Sequence, residues 1–260
     1  MKIRLTSNYT PSFIAFLDIL GFKDFVSHHG FKQIKDIFDH IEFDEKSIAT
    51  AMSRAADEDD ETLTRYNKSL NRCNLRIMSD SIIVAAPSNY KESLAVVLDI
   101  CNNLQESLYE CDEPIFLRGA VAEGDFYKSD RVMFGQGLID AYLAQENVSV
   151  YPRIIISDEV LEKGIPSVDD LGAYGYESFP KDKDGYHYIN TLGNWLLLAN
   201  CGIPIRKGEK YQKMNVYISK MLSGYHDIRV REKYLWLADE LERVAETAEE
   251  ARVRYEQSLL

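Results

Sequence analysis

Two aspartates stand alone inside apolar sequence. Asp18 interrupts the run from Phe13 to Phe22 (FIAFLDILGF), and Asp80 sits between two apolar half-strands in Met78-Ser79-Asp80-Ser81-Ile82. A carboxylate is costly in apolar surroundings, so each should lie at a strand end or hold a cation. Taken singly, Asp18 reads as a helix cap and Asp80 as the tip of a hairpin. If their strands are neighbours in one sheet, however, both carboxylates reach the same edge. Converging carboxylates are what hard divalent cations require, and two such ions roughly 4 Å apart clamp a triphosphate for in-line displacement. A helix starting near Gly21 would also offer backbone N–H groups to an anion.

Composition narrows the ligand. The chain has 260 residues with a net charge of −12, which argues against DNA or any general polyanion as partner, because such binding draws on many phosphate contacts. A phosphate-bearing ligand must be held locally, by metal or by a few basic residues. No stretch approaches the roughly 18 to 20 apolar residues that cross a bilayer, so no membrane association is expected. Lys2 and Arg4 ahead of FIAFLDILGF imitate a signal peptide, but Asp18 lies within the run and no small-residue cleavage site follows. A cytoplasmic protein is expected, with Cys73, Cys101, Cys111 and Cys201 as reduced structural thiols, since none forms a C-x-x-C pair. His28-His29 lacks a third ligand at metal spacing and reads as a helix end.

The elements that must position the aspartates follow from pattern. Phe13 to Leu17 is a strand; Phe22 to Ile41 is helical after Gly21; Arg54 to Leu70 has no apolar face and is expected to be a solvated loop. Leu75–Met78 and Ser81–Ala86 form a hairpin about Ser79-Asp80. Tyr90 to Glu110 is a helix with the stripe Leu94, Val97, Leu98, Cys101, Leu104 and Leu108. Strand Ile115–Ala122, a short strand Val132–Phe134, a helix opened by Gly135-Gln136-Gly137, strand Val150–Ile156 and a short helix ended by Gly164 come next. From Ile165 to Gly185 the chain is loop-rich, Tyr186–Ile189 is expected as a short strand, and Lys210–Leu222 and Arg229–Tyr255 are expected as helices. The alternation predicts an α+β sheet with helices largely on one face.

A third piece, Leu117-Arg118-Gly119-Ala120-Val121-Ala122-Glu123-Gly124 followed by Phe134-Gly135-Gln136-Gly137, gains weight from its order after the two Asp-bearing elements. In this order FIAFLDILGF, LRIMSDSIIVAA, FLRGAVAEGD, MFGQGLIDAYLAQE and RIIIS resemble the class III nucleotidyl cyclase catalytic domain, over about Ser12 to Ser157. The resemblance implies a ferredoxin-like cyclase core over residues 1–160, with a loop-rich and helical C-terminal extension over 161–260 packed on it. It also implies a homodimer with sites between subunits and a nucleoside triphosphate substrate. Asp18 and Asp80 are implied to bind two divalent cations, Mn²⁺ or Mg²⁺, with the carbonyl of Ile19 as a further ligand. Leu20, Gly21 and Phe22 are implied to embrace the phosphates. The implied reaction is attack of the ribose 3′ oxygen on the α-phosphorus with release of pyrophosphate.

Departures from the family pattern are specific. The gap from Asp18 to Asp80 is wider than usual, with the acidic run Asp57–Glu61 supplying the excess. Where purine-specific members read the base, this chain carries Arg76 and Val132; the helix that usually supplies an asparagine and a transition-state arginine reads Ile139-Asp140-Ala141-Tyr142-Leu143-Ala144. Asp140 therefore stands among the nucleotide-facing positions, and Arg118, Lys128 or Arg131 is left to supply the missing cation. These departures, together with Gly-Tyr-His-Tyr-Ile-Asn and Lys-Tyr-Leu-Trp-Leu near the C-terminus, resemble the bacterial pyrimidine cyclases of the Pycsar antiphage system. That likeness implies cyclic UMP or cyclic CMP as product, acting on a separate cyclic-nucleotide-activated effector, with Arg76 facing the base carbonyls. The alternatives are a catalytically idle nucleotide-binding sensor and a purine cyclase.

Overall fold

The computed structural model describes residues 8–41, 61–171, 178–199 and 204–258. Its centre is the strand β1 (Thr10–Ile19), which pairs antiparallel with β3 (Ser81–Pro87) on one side and with β4 (Leu117–Lys128) on the other. β3 in turn pairs with β2 (Asn74–Met78) across the expected hairpin, whose tip places Ser79 at a positive φ of 58°. The order β2-β3-β1-β4 is that of a ferredoxin-like split β-α-β core, and β6 (Ile154–Ile156) and β7 (His187–Tyr188) extend it beyond β4. β5 (Met133–Phe134) folds back on the end of β4. The α+β class expected from sequence is the observed one.

β1 reads as an unbroken apolar run because both its faces are covered. Phe13, Ala15, Leu17 and Ile19 join the main core beneath the helices, and Ile14 and Phe16 belong to a smaller cluster on the opposite face. Each large side chain fully buried there contributes about 1.5–3 kcal/mol. The helix α1 (Phe22–His28) follows β1 directly, and the helical residues 31–41 form α2. α4 (Ser93–Glu110) buries the stripe that its sequence announces. α5 (Gln136–Asn147) lies across the other face, on β1 and β4.

Two expectations are corrected, and one helix is added. Residues 61–70 form the helix α3 (Glu61–Leu70), not a loop; it is docked by the fully buried Tyr66, whose hydroxyl donates to Asp99 Oδ2 at 2.7 Å, and by Arg65 paired with Glu92 at 2.7 Å. Leu63, Tyr66 and Leu70 do recur at helical steps, and Tyr66 and Leu70 pack on the main core, but the stripe is short and set among polar residues, so the segment resembles a solvated loop. Residues 54–60, including most of the acidic run, lie outside the described residues.

Helix α6 (Asp158–Leu171) runs through Gly164 rather than ending there. A Cβ on Gly164 would stand 2.2 Å from Leu94 Cδ2, so the glycine serves the close approach of α6 to α4. Pattern also overlooked α7 (Thr191–Ala199), which Asn190 caps by accepting the Gly193 N–H at 3.2 Å.

The C-terminal helices α8 (Glu209–Gly224) and α9 (Ile228–Ser258) form, with α7, a second core around Trp195, Tyr211, Met214, Leu237 and Leu241. Tyr109 of α4 and Phe116, just ahead of β4, belong to the same cluster, so the extension is packed on the ferredoxin-like unit. Arg153 strengthens the junction: its buried guanidinium meets Asp182 at 2.6 Å, and Asp182 accepts from Trp236 Nε1 at 2.8 Å.

Candidate functional site

Register alone brings the first two sequence candidates together. Asp18, the penultimate residue of β1, lies opposite Ser81, one residue beyond Asp80. The Ile19 N–H donates to the Asp80 carbonyl at 2.9 Å, tying the strand end to the hairpin tip through main chain. Both aspartates are half-buried. Burial raises the Asp18 carboxyl above its usual range, the Arg118 guanidinium opposes this, and the negative charges of Asp80 and Glu146 add to the rise. The two carboxylates thus lie within reach of each other's charge, with burial the larger cause of the rise.

Arg118 is the direct partner of Asp18 across the β1–β4 register, and its Nε meets Asp18 Oδ2 at 2.9 Å. Of the three cations proposed for the missing role, it is therefore the one at the carboxylates. Lys128, ten positions further along β4, instead donates to Asn74 Oδ1 on β2. Arg131 is exposed in the turn before β5, close to Val132, which is 50% exposed.

The turn after β1 supplies the remaining main-chain atoms. Gly21 adopts φ 77°, a left-handed conformation that suits glycine and lets α1 start at once. The Leu20 N–H is already taken by the Phe116 carbonyl at 2.8 Å. Phe22 packs edge-on against Phe38 with ring centroids 5.9 Å apart, fixing the entry to α1. At the far end of α1, His29 stacks on Phe25 at 3.9 Å, and its Nδ1 lies 2.9 Å from the Phe25 carbonyl.

The sheet face that bears Asp18 continues through Ser81 and Ile83 to Met78 and Arg76, because paired residues in antiparallel strands share a face. Arg76 is exposed there. Asp140, on α5, accepts from Gln136 Nε2 at 2.8 Å and is exposed beside Ile139, Tyr142 and Leu143. Among the described residues no hydrogen bond or ion pair joins Val132, Arg131 or Asp140 to the two aspartates, whereas Ile19, Leu20 and Arg118 are all bonded within the β1–β3–β4 end.

Pattern missed one charged group at this end. Lys233, in the second turn of α9, lies within the field of Arg118 and Asp18. The sequence signal was the Lys233-Tyr234-Leu235-Trp236-Leu237 segment, whose composition alone does not say which strand it meets.

Hard oxygen donors suit Mg²⁺ or Mn²⁺, and the oxygen donors that the sequence offers at this end of the sheet are the carboxylates of Asp18 and Asp80 and the carbonyl of Ile19. No cluster of three or more His, Cys, Asp or Glu side chains is placed to hold a metal among the described residues. Cys73, Cys101 and Cys111 are free thiols, and Cys201 lies outside the described residues. No helix among the described residues is long and apolar enough to cross a membrane.

No protein-family model matches the chain, and no curated protein matches it. Among solved structures it is similar to the guanylyl cyclase Cya2, with 13% identity, a TM-score of 0.42, and coverage of 70% of this chain and 92% of that one. It is similar also to the monomeric guanylyl cyclase domain of the RhoGC fusion protein from the aquatic fungus Blastocladiella emersonii, at 11% identity and TM-score 0.46, covering 70% and 95% of the two chains. A class III adenylyl cyclase-like ATP-binding protein from Pseudomonas aeruginosa is matched at 11% identity and TM-score 0.37, covering 60% of this chain and 35% of that one.

Proposed function

We propose that this chain is a nucleotide cyclase that converts a pyrimidine nucleoside triphosphate, UTP or CTP, into its 3′,5′-cyclic monophosphate and pyrophosphate. The single observation that carries the reading is the convergence of Asp18 and Asp80 at one end of adjacent antiparallel strands, locked by the Ile19-to-Asp80 main-chain bond of 2.9 Å. Asp18, Asp80 and Ile19 would hold two divalent cations, Mn²⁺ or Mg²⁺, which when bound supply charge neutralisation for the phosphates and acidify the attacking hydroxyl. In the reaction the O3′–Pα bond forms as the bond from Pα to the leaving oxygen breaks. Pyrophosphate departs with that electron pair, and the 3′ hydroxyl gives up its proton to solvent water. Arg118 adds a fixed positive charge beside the carboxylates, and the Gly21 turn brings main chain close to the phosphates.

Arg76 suits a base with carbonyl oxygens, since a guanidinium donates only; uracil, cytosine and guanine all offer them, and the choice of a pyrimidine among these rests on the motif resemblance. The homodimer is supported by the outer face of α5, where Ile139, Tyr142 and Leu143 are 49%, 44% and 46% exposed, with Phe134 nearby in sequence at 46%. A second copy of the chain would cover such a face. The product would serve as a messenger for a separate effector in antiphage defence, in keeping with the motif resemblance. A nucleotide-binding sensor without turnover is favoured by one observation, the absence of arginine from α5.

The test is to incubate the purified chain separately with ATP, GTP, CTP and UTP in Mn²⁺ and identify products by mass spectrometry. Cyclic UMP or cyclic CMP is the expected product. A cyclic purine would overturn the base assignment, and nucleotide binding without product would establish the sensor.

A further inference from the structure

The extension packs against the same turn that follows Asp18. Tyr234 of α9 stands edge-on to Phe116 with centroids 6.3 Å apart, and Phe116 accepts the Leu20 N–H through its carbonyl. Leu20 itself packs on the cluster that contains Tyr234. At the corner between α8 and α9, Arg231 donates to the carbonyls of Leu222 and Tyr225, and the Tyr225 hydroxyl reaches Asp24 Oδ2 of α1 at 3.3 Å. The start of α9 is thus pinned at three places around the β1–α1 turn.

Lys233 is the residue beside that Tyr234 anchor. It is half-buried, and among the described residues it has neither a hydrogen bond nor an ion pair. Its charged neighbours are Arg118, Asp18 and Asp227, and burial together with the Arg118 charge holds its ammonium below the usual lysine range. Arg118 is already engaged by Asp18. A partly desolvated ammonium that makes no hydrogen bond or ion pair and feels a second cation is unfavourable even with the charges of Asp18 and Asp227 in range, and an arriving anion would relieve that cost.

We propose that Lys233, carried by the C-terminal extension, is a phosphate-binding residue of the nucleoside triphosphate site and completes with Arg118 a cationic pair beside Asp18. The inference rests on the cyclase reading and deepens it. It gives the extension a direct part in the site, and it supplies from α9 a cation that α5 lacks.

The test uses the full chain with Mg²⁺ and inorganic pyrophosphate as the probe, by isothermal titration calorimetry, alongside the product assay with four triphosphates. Lys233→Met should weaken pyrophosphate binding about tenfold or more, the scale of one charge-assisted hydrogen bond. Lys233→Arg should restore most of it. Arg229→Ala, an exposed cation on the same helix, should bind as the unaltered chain does. The melting temperature of Lys233→Met should be unchanged or higher, because an uncompensated charge is removed. If the unaltered chain makes a cyclic nucleotide while Lys233→Met binds pyrophosphate equally tightly, the role of Lys233 is refuted and the cyclase reading stands. Loss of binding with a lowered melting temperature and no rescue by Arg would mark a structural role and refute it too. If the unaltered chain neither binds pyrophosphate nor cyclises any triphosphate, both readings fall.

Discussion

Arg118 and Asp18 face each other across two hydrogen-bonded strands, guanidinium Nε to carboxylate Oδ2 at 2.9 Å, with each side chain about one-fifth exposed. The pair is partly desolvated, so its members depend on each other more than a surface pair would. Arg118→Met should lower stability by about 1 kcal/mol, because Asp18 then keeps its charge without its donor. Combining it with Asp18→Asn should recover most of that loss. Urea unfolding of the two single variants and the double variant checks this; strictly additive losses would show that the residues are not coupled.

Asp80→Asn should reduce Mn²⁺-dependent cyclisation at least about a hundredfold while leaving the melting temperature within a few degrees. The side chain is half-buried at a hairpin tip and removes no core volume when changed. Product quantified by mass spectrometry over time is the readout, and near-normal turnover would remove Asp80 from the ion site.

Arg76→Ala should alter the ratio of activities among the four triphosphates without affecting stability by more than about 0.5 kcal/mol, since the residue is exposed on the open face of the sheet. Initial rates with each triphosphate decide this. An equal fall for all four would point to phosphate rather than base contact.

Asp99 gives a pH dependence unconnected with the site. Burial pushes its carboxyl up to about 6, against the hydrogen bond from Tyr66 that pulls the other way. The folded chain therefore holds this proton more tightly than the unfolded chain does. The associated stability is complete below about pH 4 and is lost as pH rises through about 6. Asp99→Asn, which can still accept from Tyr66, should be more stable than the parent at pH 7.5 by about 1–3 kcal/mol and lose that advantage near pH 4. Chemical denaturation at the two pH values tests the sign; a gain that does not shrink with acid would mean the carboxylate is not the cause.

Gly164→Ala sets two effects against each other. Alanine favours a helix interior by about 1 kcal/mol over glycine. Its Cβ, however, would stand 2.2 Å from Leu94 Cδ2 and 2.9 Å from Leu94 Cβ, and Leu94 is fully buried. Overpacking of this kind costs about 1–3 kcal/mol, so net destabilisation is expected. Thermal unfolding is the measurement, and a more stable variant would show that α4 and α6 separate freely.

Much of the site was legible because it depends on strands. Asp18 and Asp80 each broke an apolar run, and once β1 and β3 paired, register did the rest. The stripe of α4 was equally plain, since six apolar residues recur at helical spacing. Elements held by few anchors were opaque. α3 carries only a short apolar stripe, Leu63, Tyr66 and Leu70, and its Tyr66 and Arg65 find their polar partners on α4 and its approach, which no local period records. Gly164 looked like a stop because sequence does not reveal the neighbour that requires it. Lys233 was invisible as a site residue for the same reason: its significance lies in Arg118, more than a hundred positions earlier and on another element.

The main-chain bond from Ile19 to Asp80 means that the two carboxylates take their relative position from hydrogen-bonded backbone. The length of chain between them is irrelevant to their spacing. Insertions in that interval can accumulate without disturbing the pair, whereas slipping β1 against β3 by a single residue would turn Asp18 to the opposite face. A search keyed to the number of residues between the aspartates would overlook relatives of this chain; one keyed to strand pairing would retain them.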